Sequence, residues 1–219
     1  PLIPTATLDS YINESRLQVA AHGACVRQFL NLALVVGTNR YNFTALTGLS
    51  AGVGGVYHIR QFWYQVPGAG TLWVSSRPFE YLGLFGALNN PVPVQGPPAM
   101  WAQFGQGETG SLFIDPIPDT AYTCSVDALG VPIPLVDDTT AEAIPAIWTL
   151  AVPFYAAWLG FMSNQRQSDA DMMLKRFQQQ MALARNAANP DITMENWSQS
   201  PDPEDANRLG AAPAARTAA

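Results

Sequence analysis

The 219 residues are 48% hydrophobic and only 13% charged, with 17 glycines and 18 prolines, so there is ample material for a core and much of the surface must come from loops. Eleven basic side chains against 17 acidic ones leave a formal charge of −6, which excludes a phosphate-binding surface of the basic kind. Cys25 and Cys124 sit in no metal-ligand spacing, which excludes a zinc module and a disulfide framework and predicts two buried thiols.

In chain order, Leu8, Ile12, Ser15, Val19 and Gly23 recur at four-and-three spacing with Asp9, Asn13, Glu14 and Arg16 between them, predicting an amphipathic helix over 7–21 capped by Thr7. Val26 to Val36, the turn residues Gly37-Thr38-Asn39 and the alternating Tyr41-Asn42-Phe43-Thr44 predict a β-hairpin. A glycine cluster at Gly48, Gly52, Gly54 and Gly55 reads as a loop, followed by a long strand from Val56 to Val66. Short strands are predicted at Thr71–Ser75 and Met100–Phe104, with a brief helix between Arg77 and Leu88. Ser111–Ile114 and Ala121–Asp127 flank the proline-bearing turn Asp115-Pro116-Ile117-Pro118-Asp119 and read as an antiparallel pair.

Helical patterning returns after Asp138. Thr139 or Thr140 can cap, and the apolar stretch Ile144 to Met162, interrupted by Pro145 and Pro153, reads as a helix buried on most sides. A second helix opens at Ser168-Asp169-Ala170-Asp171, where acids suit the macrodipole, and takes Met172, Met173, Phe177, Met181 and Leu183 or Ala184 as its apolar side. The fold class is therefore α+β. Residues 1–25 and 138–187 form a helical bundle, 26–137 an inserted antiparallel β-sandwich-like region, and 188–219 an extended or disordered tail of Pro, Asp, Glu, Asn and Ala. No basic n-region leads into an apolar h-region and no apolar run is taken to span a bilayer, so a chain held in a reducing cytoplasm, away from membranes, is expected.

Five patterns that carry chemistry in other proteins have plainer readings in this sequence. Gly48-Leu49-Ser50-Ala51-Gly52 matches a nucleophile elbow, but a glycine loop and a strand follow it, and His58 comes too soon for the triad order. Gly105-Gln106-Gly107-Glu108-Thr109-Gly110 matches a dinucleotide fingerprint, yet a strand follows where a helix is needed and Glu108 would oppose phosphates, so a hairpin loop is expected. His22 and His58 read as structural, and Asp115, Asp119, Asp127, Asp137 and Asp138 as turn residues without calcium spacing. No catalytic residue, metal or cofactor is predicted. The aromatics Tyr57, Phe62, Trp63, Tyr64, Trp73, Phe79, Tyr81 and Trp101 are assigned to the core or to subunit contacts, with a carbohydrate-binding platform as the alternative.

Taken together, Leu8-Asp9-Ser10-Tyr11-Ile12-Asn13-Glu14, Gly37-Thr38-Asn39-Arg40-Tyr41-Asn42-Phe43, Leu112 to Thr123 with its proline turn, Pro132-Ile133-Pro134-Leu135-Val136-Asp137-Asp138, Ile144-Pro145 and the helix from Gln167 to Arg185 resemble the head-to-tail adaptor (connector) family of tailed bacteriophages. The resemblance covers about residues 7–186, departs from the common pattern in its Gly/Trp-rich middle, 66–110, and leaves the tail out. It implies a non-enzymatic virion protein assembled in the host cytoplasm. Its subunits would form a homo-oligomeric, roughly twelve-fold ring that docks on the portal protein and the tail nozzle or tail tube, with DNA passing through unbound. Partner-binding candidates are Trp63 and Trp73 in the β region and Met194, Asn196 and Trp197 in the tail, where an aromatic could anchor the arm on a neighbour.

Overall fold

The computed structural model describes residues 3–66, 70–85 and 94–188, and the tail candidates Met194, Asn196 and Trp197 lie outside them. The chain is a mixed α+β fold in which one large curled sheet meets a helical layer at one end.

The first helix, α1 (Thr5–Gly23), starts two residues earlier than its pattern suggests, with Pro4 at the cap position in place of Thr7 and its carbonyl accepting the Thr7 and Leu8 N–H groups at 3.0 Å. Its buried side also differs. Ser15, Arg16, Val19 and Ala20 face inward while Leu8 is 43% exposed, since Arg16 finds partners that make its burial tolerable.

Strand β1 (Arg27–Ala33) and strand β2 (Arg40–Asn42) do not form the expected hairpin with each other. Strand β3 (Val53–Val66) follows, then β4 (Gly70–Ser76), helix α2 (Phe79–Phe85), the short β5 (Gln95–Gly96), β6 (Met100–Phe104), β7 (Ser111–Asp115), the short β8 (Ile117–Pro118) and β9 (Thr123–Pro132). The sheet order is β1-β9-β3-β4-β6-β7-β2. β1 therefore pairs with β9, Arg27 opposite Leu129 through Ala33 opposite Thr123, and β2 pairs with β7. The proline turn likewise separates β7 from β9 without pairing them: β7 joins β6 and β2, and β9 lies between β1 and β3. Local turn residues bring strand ends together, but burial of both faces decides the partner. The Asp115–Pro116 peptide is cis.

In place of two stacked sheets, the seven strands curl into a half-barrel around one core. Leu30 and Leu32 of β1 and Leu112 and Ile114 of β7, near opposite ends of the sheet, share it with Phe62, Tyr64, Trp101 and Val126. The curl has identifiable causes. β3 carries three register shifts against β9, and bulges bend a strand and increase its twist. Gln103 of β6 reaches across to the irregular part of β3, accepting the Ile59 N–H at 2.9 Å and donating to the Tyr57 carbonyl at 3.0 Å. Phe113 of β7 faces the opposite way and packs with Leu82 of α2 and Ala102, so β7 is buried along its whole length.

The apolar stretch after Ile144 is two helices, α3 (Ala146–Thr149) and α4 (Val152–Ser163), followed by α5 (Gln167–Ala188). α4 packs against both α1 and α5, and Trp148, Val19, Phe177 and Met181 form a second core with Val26, just before β1, and Val53 of β3. This stretch is not buried on most sides. Only Trp148, Ala151, Val152, Ala156 and Gly160 are buried between 146 and 163. Those 18 residues are also long and apolar enough to cross a membrane by length and composition alone, which amends the reading that no such run exists. On α5, Phe177, Met181 and Ala184 are buried as predicted, but Met172 and Leu183 are 45% and 60% exposed.

Candidate functional site

Two surfaces stand out on the described chain: an aromatic face on the sheet and an apolar groove along α4. The first follows from strand parity. Side chains opposite each other in paired strands share a face. Leu30, Val126, Phe62 and Val74 point into the half-barrel, so their neighbours in sequence point outward. Those neighbours are Phe29 on β1, Ser125 and Asp127 on β9, Gln61 and Trp63 on β3, and Trp73 on β4.

The register places Trp63 directly opposite both Ser125 and Trp73. The two indole rings lie 4.9 Å apart with planes tilted by 40°, and Phe29 meets Trp63 edge-on at 6.2 Å. Trp73 is 62% exposed and Phe29 69%, values far from those of core aromatics. Trp63 and Trp73, singled out from the sequence, are thus brought together. Phe29 was missed, although its alternation with Leu30 and Leu32 carries the signal. Of the other aromatics in that group, Phe62, Tyr64 and Trp101 belong to the core.

Beside Phe29 lies a charged pair. Asp127, expected in a turn, sits in the middle of β9 with its side chain 1% exposed, and Arg27 on the neighbouring strand grips both its oxygens, Nε to Oδ1 at 3.1 Å and Nη2 to Oδ2 at 2.6 Å. The guanidinium also stacks near the Phe29 ring at 5.9 Å. A bidentate pair neutralises the carboxylate that this face would otherwise present.

One step along the same strands, Gln65 faces Thr71. With Thr120, Tyr122, Thr123 and Ser125 they border an open cleft of about 940 Å³. Its bordering side chains are hydroxyls, an amide and small apolar groups, and none is ionised at neutral pH. The Tyr122 hydroxyl donates to Asp119 at 2.7 Å at the edge.

The second surface is a groove of about 800 Å³ between α1 and α4, bordered by Leu8, Ile12, Val152, Ala156, Gly160 and Phe161 among others. At its base Arg16, 2% exposed, pairs with Glu142 through Nε–Oε2 at 2.9 Å and Nη2–Oε1 at 2.7 Å, and donates to the Ile133 carbonyl at 2.7 Å. Burial raises the Glu142 carboxyl, but the Arg16 bonds and the Ile144 N–H outweigh it and hold the group below its ordinary value. Asn13 completes the anchor by pairing twice with the backbone of Leu135.

The remaining sequence motifs fall elsewhere. Ser50 is exposed in a turn that leads into β3, without the helix an elbow requires, and its N–H donates to Gln28 at 2.9 Å. The glycine-rich Gly105–Gly110 segment joins β6 to β7 as a hairpin, with Gly105 and Gly107 at positive φ. His58 is exposed on β3, and the ring of His22 bonds the Gln18 carbonyl at 2.9 Å. Burial pushes the Cys124 thiol up to about 12 and Cys25 to about 11; Cys124 is fully buried, whereas Cys25 is partly exposed. Among the described residues, no group of three or more His, Cys, Asp or Glu could hold a metal ion. Compared with known proteins, the chain matches no family model and no curated sequence.

Proposed function

We propose that the chain is a structural subunit of a closed homo-oligomeric ring, of the head-to-tail adaptor kind, joining a phage portal to the tail nozzle or tube around the DNA passage. The observation that carries this reading is the apolar surface of α3 and α4. Ile147, Leu150 and Met162 are 41%, 60% and 41% exposed, and the groove beside them is apolar. Large apolar side chains left to water beside an apolar groove suit a surface that another subunit covers.

Two further properties support the ring. α1 with the α4–α5 pair serves as the helical bundle of the adaptor plan, and the curled sheet as its β insertion. The formal charge of −6 disfavours retention of DNA, because an acidic lumen repels phosphates and gains nothing from counterion release. Heterologous contacts around a closed ring would cover the α3–α4 face of each subunit.

The test is to mix the purified chain with its cognate portal and image the product by electron microscopy. A ring seated on one end of the portal is the expected result, and a monomer that ignores the portal overturns the reading. Leu150→Glu should keep the far-ultraviolet circular dichroism of the native chain while shifting its mass, by light scattering, from ring to monomer. A ring unaffected by that change would show that α3–α4 is not the contact face.

A further inference from the structure

We infer that the outer face of the sheet binds an uncharged saccharide chain, its pyranose faces stacked on Trp63, Trp73 and Phe29 and its hydroxyls directed into the adjoining cleft. This site is independent of the ring. β3 begins at Val53, which packs with the helical layer, and reaches Trp63 ten residues later, about 30 Å along an extended strand. The α3–α4 face and the aromatic face are therefore carried by different elements of the chain.

Three observations converge on this ligand chemistry. The first is ring geometry: three aromatics follow one another at 6.2 and 4.9 Å, two of them more than 60% exposed, as a strip rather than a closed pocket. The C–H faces of a sugar ring are apolar and its edges are hydroxyls, so it pairs with an aromatic surface that has hydrogen-bonding groups beside it.

The second is that the cleft supplies those groups on the same face. Gln65 and Thr71 are one step beyond Trp63 and Trp73 in the same two strands, and Ser125 is opposite Trp63. At about 940 Å³ the cleft is in the size range of small-molecule sites. The third is charge. The amide and hydroxyls of the cleft bear none, and the carboxylate of Asp127, opposite Phe29, is taken up by Arg27. A polyanion meets only Arg27, which Asp127 already holds, a cation meets only Asp119 at the cleft edge, which the Tyr122 hydroxyl bonds, and a neutral polyol needs neither. Another protein would more naturally use the α3–α4 surface, where the apolar area is not interleaved with hydroxyls.

The experiment is isothermal titration of the full chain with cellohexaose, laminarihexaose, maltohexaose and chitohexaose, with hexagalacturonate as the charged control. At least one neutral hexasaccharide should bind with a dissociation constant of about 1 mM or tighter. Trp73→Ala, at an exposed position, should weaken that binding about tenfold or more with an unchanged circular dichroism spectrum. Gln65→Ala should weaken it less. Absence of heat with all four neutral oligosaccharides, or binding that Trp73→Ala leaves intact, overturns the proposal. Loss of self-association in Trp73→Ala without saccharide binding would assign the face to a protein contact instead.

Discussion

Replacing Glu142 with alanine strands Arg16. The guanidinium is 2% exposed, and the variant removes its two bonds to Oε1 and Oε2 while leaving those to the Ile133 carbonyl and Asn13. Removing one partner of a fully buried pair costs roughly 3–5 kcal/mol. A third of the Glu142 side chain is exposed, at 34%, so water replaces part of what is lost. Roughly 2 kcal/mol remains after that discount, and losing the bond to the Ile144 N–H at 2.9 Å adds about 1. The sum, near 3 kcal/mol, is a large share of the 5–15 kcal/mol by which domains are stable.

The assay is urea unfolding, followed by circular dichroism, of the native chain, Glu142→Ala, Arg16→Met and the double variant. The double variant should lie above the additive sum by about 1.5 kcal/mol or more, because it leaves no stranded charge. The pH dependence has a definite sign. A carboxyl whose folded pKa is lowered contributes stability that is complete above its ordinary value of 4.5 and is lost as pH falls through the folded value. The gap between native and Glu142→Ala should therefore shrink on acidification below that point. Additivity within about 0.5 kcal/mol, or a gap that stays constant down to pH 3, would refute the reasoning.

At pH 8 the raised thiols of Cys25, about 11, and Cys124, about 12, leave roughly one in a thousand and one in ten thousand as thiolate, so a disulfide reagent should label native protein slowly and both cysteines only on unfolding. Rapid labelling of native Cys124 would contradict its burial. Gly52→Ala should cost about 2 kcal/mol or more and lower the melting temperature by about 4 °C or more, because φ is +83° and a Cβ would run into the Ala141 carbonyl. An unchanged melting temperature would mean that the turn does not press on residue 141. Ser50→Ala should leave stability and assembly unchanged, since the contact Ser50 makes with Gln28 is through its backbone; a loss of assembly, measured by light scattering, would give the hydroxyl a role.

Elements were legible where a strong local pattern coincided with the final environment. Met100–Phe104 emerges as read, and the long aromatic strand ends at Val66 as read but starts at Val53, taking in Gly54 and Gly55 that the pattern assigns to a loop, because β-branched and aromatic runs fit a half-buried pleat whichever strand lies beside them. Partners were not legible. Gly37-Thr38-Asn39 looks like a hairpin turn, yet the Asn39 carbonyl receives the N–H of Ile114, and the Tyr41 hydroxyl bonds Val35 and Thr38, closing a local loop without joining β1 to β2. The candidate site shows the same division. Trp63 and Trp73 could be named from their residue type, but that they touch depends on the β3–β4 register, and the cleft's Thr123 and Ser125 arrive from a strand whose neighbours no local signal announces. Arg16 and Asp127 were misplaced for a related reason: periodicity assigns Arg16 to the polar side of its helix and turn preference assigns Asp127 to a loop, and only the partner, Glu142 or Arg27, explains the burial of each.

The position of β9 bears on how the chain is made. It is the strand that joins β1 to β3, and Arg27 meets Asp127 across 100 residues of sequence. On a ribosome, β1 and β3 emerge long before their common neighbour, so both wait with unpaired edges that could capture strands from another nascent chain. No fragment ending short of Thr123 can close the half-barrel. Strands β3, β4, β6, β7 and β2 can pair before β9 emerges, but joining β1 to them must be a late event, slow because a long loop has to close, and complete only once the strand that serves both sides has been synthesised.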